Sequence, residues 1–538
     1  MRRLRSFSSL VVVLAVSALV GGFFGPSVLA TDDQVERHYE TFSAALAAIQ
    51  SSYADEVESD RLVYGAVRGM LATLDPHSSF FDPREYAQMR ERQEGRYYGL
   101  GITIAAIDGD ITAQSVFEGS PAYRVGIRRG DVIATIEGES AKGWTSLEAQ
   151  NKLRGPKGTL VNIEIRRPGY ADPIPLQVTR DEVQILTVRS FFMIDDQTGY
   201  VQIKDFGENT DRELSRALRD LTENGMKQLV LDLRGNPGGP LDQAIRVSNQ
   251  FLPRGSMIVY TRGRTPGSGD EYRGTQDGAF TDIPVVVLTS RGSASASEIV
   301  AGALQDHDRA YIVGETTFGK ALVQSVYKIS GDAGLALTTA HYYTPSGRLI
   351  QRPWDASFDE YLSYSTQEQT AKREHDPSQM KRTDGGRPVY SGGGIEPDTF
   401  VAGPLEGFDP TPFGRTLYLR QTFENFAQHF MAAGDTRITQ QPTGRQTVTP
   451  DFVVDDAMVA AYRDSLEADR IRIDEQAFAE DLDFIKAMLH YRIAEAVFSF
   501  SEAQRHLVSV DPQTKVALGM FPEAARLSGL NTSGSRAN

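Results

Sequence analysis

The sequence predicts a multidomain α+β protein with an α/β core, and three patterns support this prediction. Between residues 183 and 350, short apolar strands alternate with amphipathic helices, which is the order typical of an α/β core. Before it, residues 96–182 hold short β-rich runs separated by turns with Gly, Asp and Pro, which indicate a small β domain. From residue 403 onward, apolar side chains recur at helical spacing. The length of 538 residues fits about three such domains.

The N-terminus predicts an export signal followed by a helical segment. Three Arg among the first five residues precede the apolar run Leu10–Phe24, and small residues follow it. This run is shorter than the roughly 20 apolar residues of a membrane span, so we expect residues 1–30 to be a cleaved signal and the protein to be periplasmic. An uncleaved membrane anchor is the alternative. In residues 31–95, apolar positions three or four apart predict helical structure that ends at Pro76.

The core elements follow from hydrophobic runs and their spacing. The expected strands are Tyr200–Ile203, Gln228–Leu233, Val285–Leu288 and Ala310–Val313, and the expected helices are 210–224, 241–251 and 296–305. Within the core region 183–402, the polar residues 352–392 predict a surface insertion. Residues 403–538 predict a helical C-terminal region that ends in a disordered tail.

Composition excludes several classes of chemistry. The chain has 56 Lys and Arg against 71 Asp and Glu, and a net charge of −15 argues against nucleic-acid partners. The absence of Cys excludes thiol catalysis, disulfides and Cys-based zinc sites. The eight His include no His-Glu-x-x-His pattern. We therefore predict neither a metal nor an organic cofactor.

A run of small residues, Gly292–Glu298, joins a predicted strand to a predicted helix. A Ser there could be a nucleophile beside unpaired helix N–H groups, or Ser295 and Glu298 could simply form a capping box. A nucleophilic Ser needs a base. Lys320 is one candidate, provided that its surroundings lower its pKa to about 7–8. A His relay through His77, His307 or His341 stays open.

Two further segments invite a chemical interpretation. The turn Leu233–Gly239 follows a buried strand and could present backbone N–H groups to an oxyanion, or it could be only a tight connection. The stretch Gly314–Lys320 matches a phosphate-binding loop up to its Lys. The required Ser or Thr is missing, because Ala321 follows, so nucleotide binding is not predicted.

Taken together and in this order, these segments resemble the C-terminal processing peptidases over residues 60 to 402. The resemblance includes Leu74–Ser78, Leu233–Gly239, Gly292–Ile299, Val313–Glu315 with Phe318–Lys320, Tyr343–Arg348 and Gly393–Asp398. It implies a crotonase-like ββα spiral core in which Ser295 is the nucleophile, Lys320 the base and Gln324 the residue that holds the Lys. It also implies an oxyanion hole formed by the N–H groups of Ala296 and of Gly238 or Gly239. Ala321-Leu322 departs from the small residues of many relatives.

The β-rich residues 96–182 resemble a PDZ domain. Gly99-Leu100-Gly101-Ile102 resembles its carboxylate-binding loop, and Gly119–Ala122 with Gly126–Ile133 resembles the bacterial form. The resemblance implies that the domain captures the C-terminal tail of a peptide by strand addition. An ordinary Gly turn before a strand is the alternative explanation of the first motif.

The sequence therefore predicts an exported serine endopeptidase that cleaves protein substrates near their C-termini through an acyl-enzyme. A catalytically inactive, PDZ-containing binding or scaffold protein is the alternative. Expected partners are protein or peptide substrates. For residues 403–538 we expect either an adaptor protein or a second copy of the chain to be the partner, because their apolar helix faces require packing.

Overall fold

The computed structural model describes residues 35–167, 170–265, 269–354, 358–367, 369, 375–434, 448–449 and 451–530. The expected export signal, residues 1–30, and the end of the expected tail lie outside them. The chain forms two compact units, of which the first comprises the residues up to Pro83 together with Val326–Leu337, and the second comprises the rest. Within the described ranges, no helix is both long enough and apolar enough to cross a membrane.

The first unit contains two helices where the sequence predicts one continuous helical segment. Helix α1 covers residues 35–52, helix α2 covers Ser59–Leu71 and strand β1 covers Ser79–Phe81. The break falls in a stretch rich in Ser, Asp and Glu, where short polar side chains compete for backbone hydrogen bonds. After α2, the Asp75 carboxylate accepts the N–H groups of His77 and Ser78, both at 2.8 Å. The small core of this unit is formed by Leu71, Phe80 and Ala333.

Helix α3 (Pro83–Glu94) leads to the β-rich domain of the second unit. Its elements are β2 (Arg96–Gly99), β3 (Ile102–Ile107), β4 (Asp110–Val116), α4 (Pro121–Arg124), β5 (Val132–Ile136), β6 (Glu139–Ser140), α5 (Ser146–Leu153), β7 (Leu160–Arg166), β8 (Ile174–Thr179) and β9 (Asp181–Gln184). An antiparallel sheet runs in the order β3-β4-β5-β7-β8, so β3 is an edge strand. Strand β2 pairs with β9 and brings the two ends of the domain together.

The core that follows contains every strand and helix that the sequence predicts there. Its elements are β10 (Val188–Met193), β11 (Thr198–Ile203), α6 (Thr210–Glu223), β12 (Gln228–Asp232), α7 (Leu241–Asn249), β13 (Met257–Gly263), β14 (Glu271–Arg273), β15 (Val285–Thr289), α8 (Ala296–Asp306), β16 (Tyr311–Gly314), β17 (Leu322–Lys328) and β18 (Gly334–Tyr343). Most predicted boundaries fall within two residues of the observed ones.

The central sheet positions the predicted site. Its order is β10-β11-β12-β15-β16, and a short strand β21 (Thr399–Phe400) adds to β16. All neighbours from β11 onward are parallel. The carboxyl ends of β12, β15 and β16 therefore lie at one edge, and there the segments 233–239, 290–295 and 315–320 begin. Helices α6, α7 and α8 cover one face of this sheet.

The polar insertion 352–392 folds back onto the core where it is described. It contains α9 (Phe358–Ser363) and a hairpin of β19 (Met380–Arg382) with β20 (Pro388–Tyr390). The rings of Tyr361 and Tyr364 lie 5.1 and 6.0 Å from the ring of Phe318, measured between centroids. The insertion thus covers the segment that leads to Lys320.

The C-terminal region is a helical layer with two roles. Its helices are α10 (Pro412–Leu419), α11 (Thr422–Gly434), α12 (Asp456–Ala468), α13 (Glu475–Glu480), α14 (Leu482–Val497), α15 (Phe500–Val510), α16 (Pro512–Gly519) and α17 (Phe521–Leu527). Helices α10 to α15 share an apolar core of their own. Side chains of α15, α16 and α17 pack on the face of the central sheet opposite α6 to α8, against Tyr200, Val230 and Val286. The described C-terminal residues therefore complete the main fold.

We predict that two Leu→Ala substitutions in the C-terminal region differ strongly in their effect on stability. Leu489 in α14 is fully buried, so Leu489→Ala removes packed methyl groups and lowers the free energy of unfolding by about 2–5 kcal/mol. Leu419 is 76% exposed, and Leu419→Ala changes it by less than about 0.5 kcal/mol. Urea denaturation of both variants measures the difference. Equal shifts of the two midpoints would contradict this assignment of the core.

Candidate functional site

The turn after β12 and the loop after β15 are packed against each other. The Ser293 hydroxyl donates to Leu233 O at 2.7 Å, the Ala294 N–H donates to Asn236 O at 2.9 Å, and the Ser297 hydroxyl donates to the same oxygen at 3.0 Å. These bonds tie residues 293–297 to the predicted oxyanion turn at three points. The turn and the start of α8 therefore form one rigid surface.

Ser295 has an unusual backbone conformation at the N-terminus of α8. Its φ is 54° and its ψ is −113°, a combination that costs free energy in a residue other than Gly. It is half-buried, and its N–H donates to the Glu298 carboxylate at 2.8 Å, so the Glu298 bond of the predicted capping box is present. Such strain persists where the surrounding structure fixes it, and it is typical of functional sites.

Glu298 links Ser295 to Lys320 through the backbone. Its Oε2 accepts the N–H of Ser295 and the N–H of Lys320, each at 2.8 Å. Its Oε1 accepts the hydroxyl of Thr317 at 2.5 Å and the N–H of Gly319 at 2.7 Å. One buried carboxylate thus brings the backbones of both predicted catalytic residues to the same oxygen atom.

Tyr342 repeats this link on the carbonyl side. Its hydroxyl lies 2.7 Å from Lys320 O and 3.1 Å from Ser295 O, and it donates its proton to this pair. Burial raises the pKa of Tyr342 well above its usual value, and the nearby Glu298 adds to the effect, so the hydroxyl stays protonated. The backbones of Ser295 and Lys320 are therefore linked twice. The Glu298 carboxylate accepts both N–H groups, and the Tyr342 hydroxyl donates to both carbonyl oxygens.

Burial dominates the protonation of Glu298. It raises the pKa of this carboxyl to about 7, although the four hydrogen-bond donors act in the opposite direction. The hydrogen bonds that Glu298 accepts from Ser295 and Lys320 on Oε2, and from Thr317 and Gly319 on Oε1, need the carboxylate as an acceptor on both oxygens. Ionisation of Glu298 is therefore coupled to the geometry of the site near neutral pH.

The structure brings Lys320 and Gln324 together. Lys320 Nζ donates to Gln324 Oε1 at 3.0 Å, and both side chains are half-buried. The unusual Ala321 does not disturb the strand, because its N–H donates to Gln351 at 2.8 Å and its carbonyl accepts from Tyr342 N at 3.0 Å. Ala321 is therefore fully buried with both of its backbone groups hydrogen-bonded, although many relatives have a smaller residue there.

The two candidates for the second oxyanion donor, the N–H groups of Gly238 and Gly239, differ in their hydrogen bonding. The Gly238 N–H donates to Asn236 Oδ1 at 2.8 Å, so it is already used. Among the described residues, neither the Gly239 N–H nor the Ala296 N–H donates a hydrogen bond to another group. A β-carbon on Gly238 would lie 2.7 Å from Ser295 Cβ and 2.8 Å from Ala296 N. Only glycine leaves this space open.

The candidate histidines lie outside this cluster or point away from it. His307 caps the C-terminal end of α8, about 18 Å along the helix from Ser295, and its ring contacts Asp384 and Met257 O. His341 precedes Tyr342 in β18, so its side chain points to the opposite face. His77 belongs to the first unit. A His relay through His307 or His341 has no support from this geometry.

The predicted carboxylate-binding loop is packed tightly against Ser120 and leads into the edge strand β3. Gly101 has a φ of 79°, and a β-carbon there would lie 2.2 Å from Ser120 Cβ. The carbonyls of Leu100 and Gly101 accept N–H groups within the domain at 2.8 and 2.9 Å. Gly99 ends β2, and Ile102 begins the edge strand β3. Among the described strands, β3 pairs only with β4, so its other edge faces no strand.

Several supporting residues could not be recognised from local sequence. Tyr342 lies 47 residues after Ser295, and no local pattern connects the two. Glu298 is predicted only as a helix cap, although its spacing to Ser295 is the available signal. The buried ion pair of Arg291 with Glu315 also anchors the loop before Ser295, and sequence reasoning misses it. No group of three His, Asp or Glu in the described part of the chain is placed to hold a metal ion.

Comparisons with known proteins agree on one family. Residues 197–354 match the model of peptidase family S41, residues 113–167 match a PDZ domain, and residues 27–84 match the N-terminal domain of the activating protease CtpB. The carboxy-terminal-processing protease of Bartonella bacilliformis is 38% identical over 314 residues, which cover 58% of this chain and 72% of that protein. The carboxy-terminal processing protease CtpA of Bacillus subtilis is 36% identical, with 58% and 67% covered.

A solved structure is similar as well. The photosystem II D1 C-terminal processing protease is 28% identical, with 68% of this chain and 93% of that chain covered and a TM-score of 0.36.

We predict that Glu298 makes stability depend on pH in a defined direction. Its pKa rises from 4.5 in the unfolded chain to about 7 in the folded one, so the folded state is favoured by protonation. This contribution, about 3 kcal/mol, is fully present below pH 4.5 and is lost as the pH rises through 7. The free energy of unfolding of the wild type, relative to Glu298→Gln, therefore falls between pH 4.5 and 8. Urea denaturation across this range measures it, and parallel pH profiles would contradict the assignment.

Proposed function

Because this chain belongs to the carboxy-terminal processing proteases of peptidase family S41 and is a serine peptidase, we propose that Ser295 is its nucleophile and Lys320 its general base. The proposal is carried by one observation, the Glu298 oxygen that accepts the N–H groups of both residues at 2.8 Å. No other described carboxylate joins a strained Ser at a helix N-terminus to a half-buried Lys. A scaffold protein would have no need of this linkage.

In the proposed mechanism, the neutral Lys320 amine accepts the proton of Ser295 as Oγ attacks the scissile carbonyl. Gln324 Oε1, 3.0 Å from Nζ, orients the amine toward Ser295. The protonated Lys320 then gives the proton to the leaving amine, and the acyl-enzyme forms on Ser295. Lys320 next takes a proton from water as the water oxygen attacks the ester. It then gives this proton to Ser295 Oγ as the ester bond breaks, which releases the new carboxyl end of the product and restores the Ser295 hydroxyl.

The negative charge of each tetrahedral intermediate falls on the former carbonyl oxygen. We assign its stabilisation to the N–H groups of Ala296 and Gly239. The first lies at the positive N-terminal end of α8, and the second follows the Gly238 peptide that packs on Ser295. Gly238, whose N–H donates to Asn236, shapes the hole without donating to it.

The PDZ domain supplies a second, non-catalytic site in this proposal. A substrate's C-terminal residues add to the edge of β3, and the N–H groups at Gly99–Ile102 receive the terminal carboxylate. The module division 31–95, 96–182, 183–402 and 403–538 belongs to the same proposal. Export directed by residues 1–30 is also part of this proposal, because it would bring the protease to protein tails outside the cytoplasm.

We predict that Ser295→Ala and Lys320→Ala each lower kcat for a tailed peptide by at least about 10³-fold, because each removes a reacting group. Gln324→Ala lowers kcat by about tenfold, since the amine loses its orienting acceptor. Ser325→Ala and Lys328→Ala in β17 are the matched controls and retain activity. A fluorophosphonate probe labels wild type at Ser295. Full turnover by Ser295→Ala disproves the dyad, and a wild type that neither cleaves nor is labelled indicates a scaffold.

We predict that Gly238→Ala abolishes turnover while Gly255→Ala does not. Both glycines have a positive φ, 97° and 86°, so both substitutions cost about 1 kcal/mol of backbone strain. Only the Gly238 methyl group would enter the space beside Ser295 and Ala296, since a β-carbon on Gly255 meets nothing within 4 Å. Steady-state kinetics with thermal unfolding separates the two effects. Equal loss of activity in both variants would count against the oxyanion assignment.

A further inference from the structure

A buried ion cluster stands immediately before the oxyanion turn. Arg234, 12% exposed at its side chain, donates to Asp232 through Nε at 3.0 Å and through Nη2 at 2.7 Å. It also donates to Asp511 at 3.2 and 3.3 Å and to Gln513 Oε1 at 3.0 Å. The first partner lies in β12 beside the turn, and the other two lie at the start of α16.

The cluster holds two carboxylates against one guanidinium, and its remaining acceptors are satisfied. Tyr200 donates its hydroxyl to Asp232 at 2.6 Å. Thr514 donates its N–H and hydroxyl to Asp511 at 2.7 and 2.6 Å, so Asp511 is also the N-cap of α16. Burial acts to lower the pKa of Arg234, but the two carboxylates raise it well above its usual value, and the guanidinium stays charged.

The contacts from α16 differ from the contact with Asp232 in one respect. Asp232 and Arg234 are two residues apart on one segment, so their ion pair moves with the turn. Asp511 and Gln513 belong to the C-terminal layer, and Gln513 donates in addition to Val401 O at 2.7 Å. They therefore tie Arg234 to structure outside the turn. Gly407 packs against the cluster so closely that a β-carbon there would lie 2.5 Å from Asp511 Oδ1.

We propose that Asp511 is a positioning residue of the peptidase. It holds Arg234, and through Arg234 it holds the turn Gly235–Gly239 in the conformation that directs the Gly239 N–H toward the oxyanion. The inference rests on the proposed function, since it assumes that this turn stabilises the tetrahedral intermediate. It gives the C-terminal region a part in catalysis that does not depend on an adaptor or a second copy.

The test is Asp511→Asn in the full-length chain. Asn caps a helix as well as Asp does, so α16 keeps its N-cap while Arg234 loses a charged partner. A turn that shifts by a fraction of an ångström weakens one oxyanion donor, and we expect kcat to fall about tenfold with KM within twofold of wild type. The matched control is Asp455→Asn, an N-cap of α12 whose carboxylate accepts from Met458 N, and it leaves both constants unchanged.

A double variant separates positioning from a general loss of stability. Arg234→Lys keeps the charge but cannot bridge two carboxylates in the same way. If Asp511 acts through Arg234, the double variant with Asp511→Asn has no lower kcat than Arg234→Lys alone. If the double variant instead loses kcat by the product of the two single losses, the two residues act independently and the proposal is overturned. A tenfold change confined to KM, or a kcat of Asp511→Asn equal to that of Asp455→Asn, would overturn it as well.

Two further variants cover the case of an unfolded Asp511→Asn and test the proposed function separately. If circular dichroism shows that Asp511→Asn is unfolded, Gln513→Met replaces it as the test variant. This substitution removes the hydrogen bond to Arg234 and leaves the charge of the buried cluster unchanged. We expect kcat to fall about threefold with KM unchanged. An unchanged kcat in that variant rejects the proposal. Ser295→Ala run in parallel tests the proposed function separately: full turnover there rejects the dyad, whatever Asp511 does.

Discussion

The candidate site depends on one buried carboxylate. Glu298 accepts N–H groups from Ser295, Gly319 and Lys320 and a hydroxyl from Thr317, so segments that follow two different strands meet at its two oxygens. A buried charge is tolerated only when its acceptors are satisfied, and here the hydrogen bonds that satisfy it also set the geometry. The same four bonds offset only part of the desolvation of Glu298, and they fix where the proposed nucleophile and base lie.

The parallel sheet makes this meeting possible. Three neighbouring strands deliver their following loops to one edge, and each loop is fixed by a buried charge close to its start. Arg234 anchors the first, Arg291 with Glu315 anchors the second, and Glu298 joins the second to the third. Rigid loops on a rigid sheet are what electrostatic stabilisation requires, because donors that are already in place need no reorganisation during the reaction.

Sequence reasoning reached the local features of this arrangement and missed the distant ones. The strands, the helices and the pairing of Lys320 with Gln324 follow from periodicity and from the resemblance of a short motif, so they were predictable. The contacts of Tyr342 with Ser295 and of Asp511 with Arg234 join residues 47 and 277 positions apart. Nothing in a single sequence encodes such pairings, because they arise only when the sheet and its two covering layers are assembled. The choice between Gly238 and Gly239 likewise required the position of the Asn236 side chain.

The packing of α15, α16 and α17 on the central sheet has a consequence for the order of synthesis. Domains generally fold as the ribosome releases them, N-terminal parts first. Here the face formed by Tyr200, Val230 and Val286 is covered by helices that end at Leu527, so it stays exposed until the chain has been made up to that residue. The proposed nucleophile, the proposed base and the glycine turn are all translated more than 150 residues before Leu527, where the last of these helices ends. A nascent or truncated chain without α15, α16 and α17 would therefore lack this support beneath the candidate site, so we expect it to be inactive until these helices have been made.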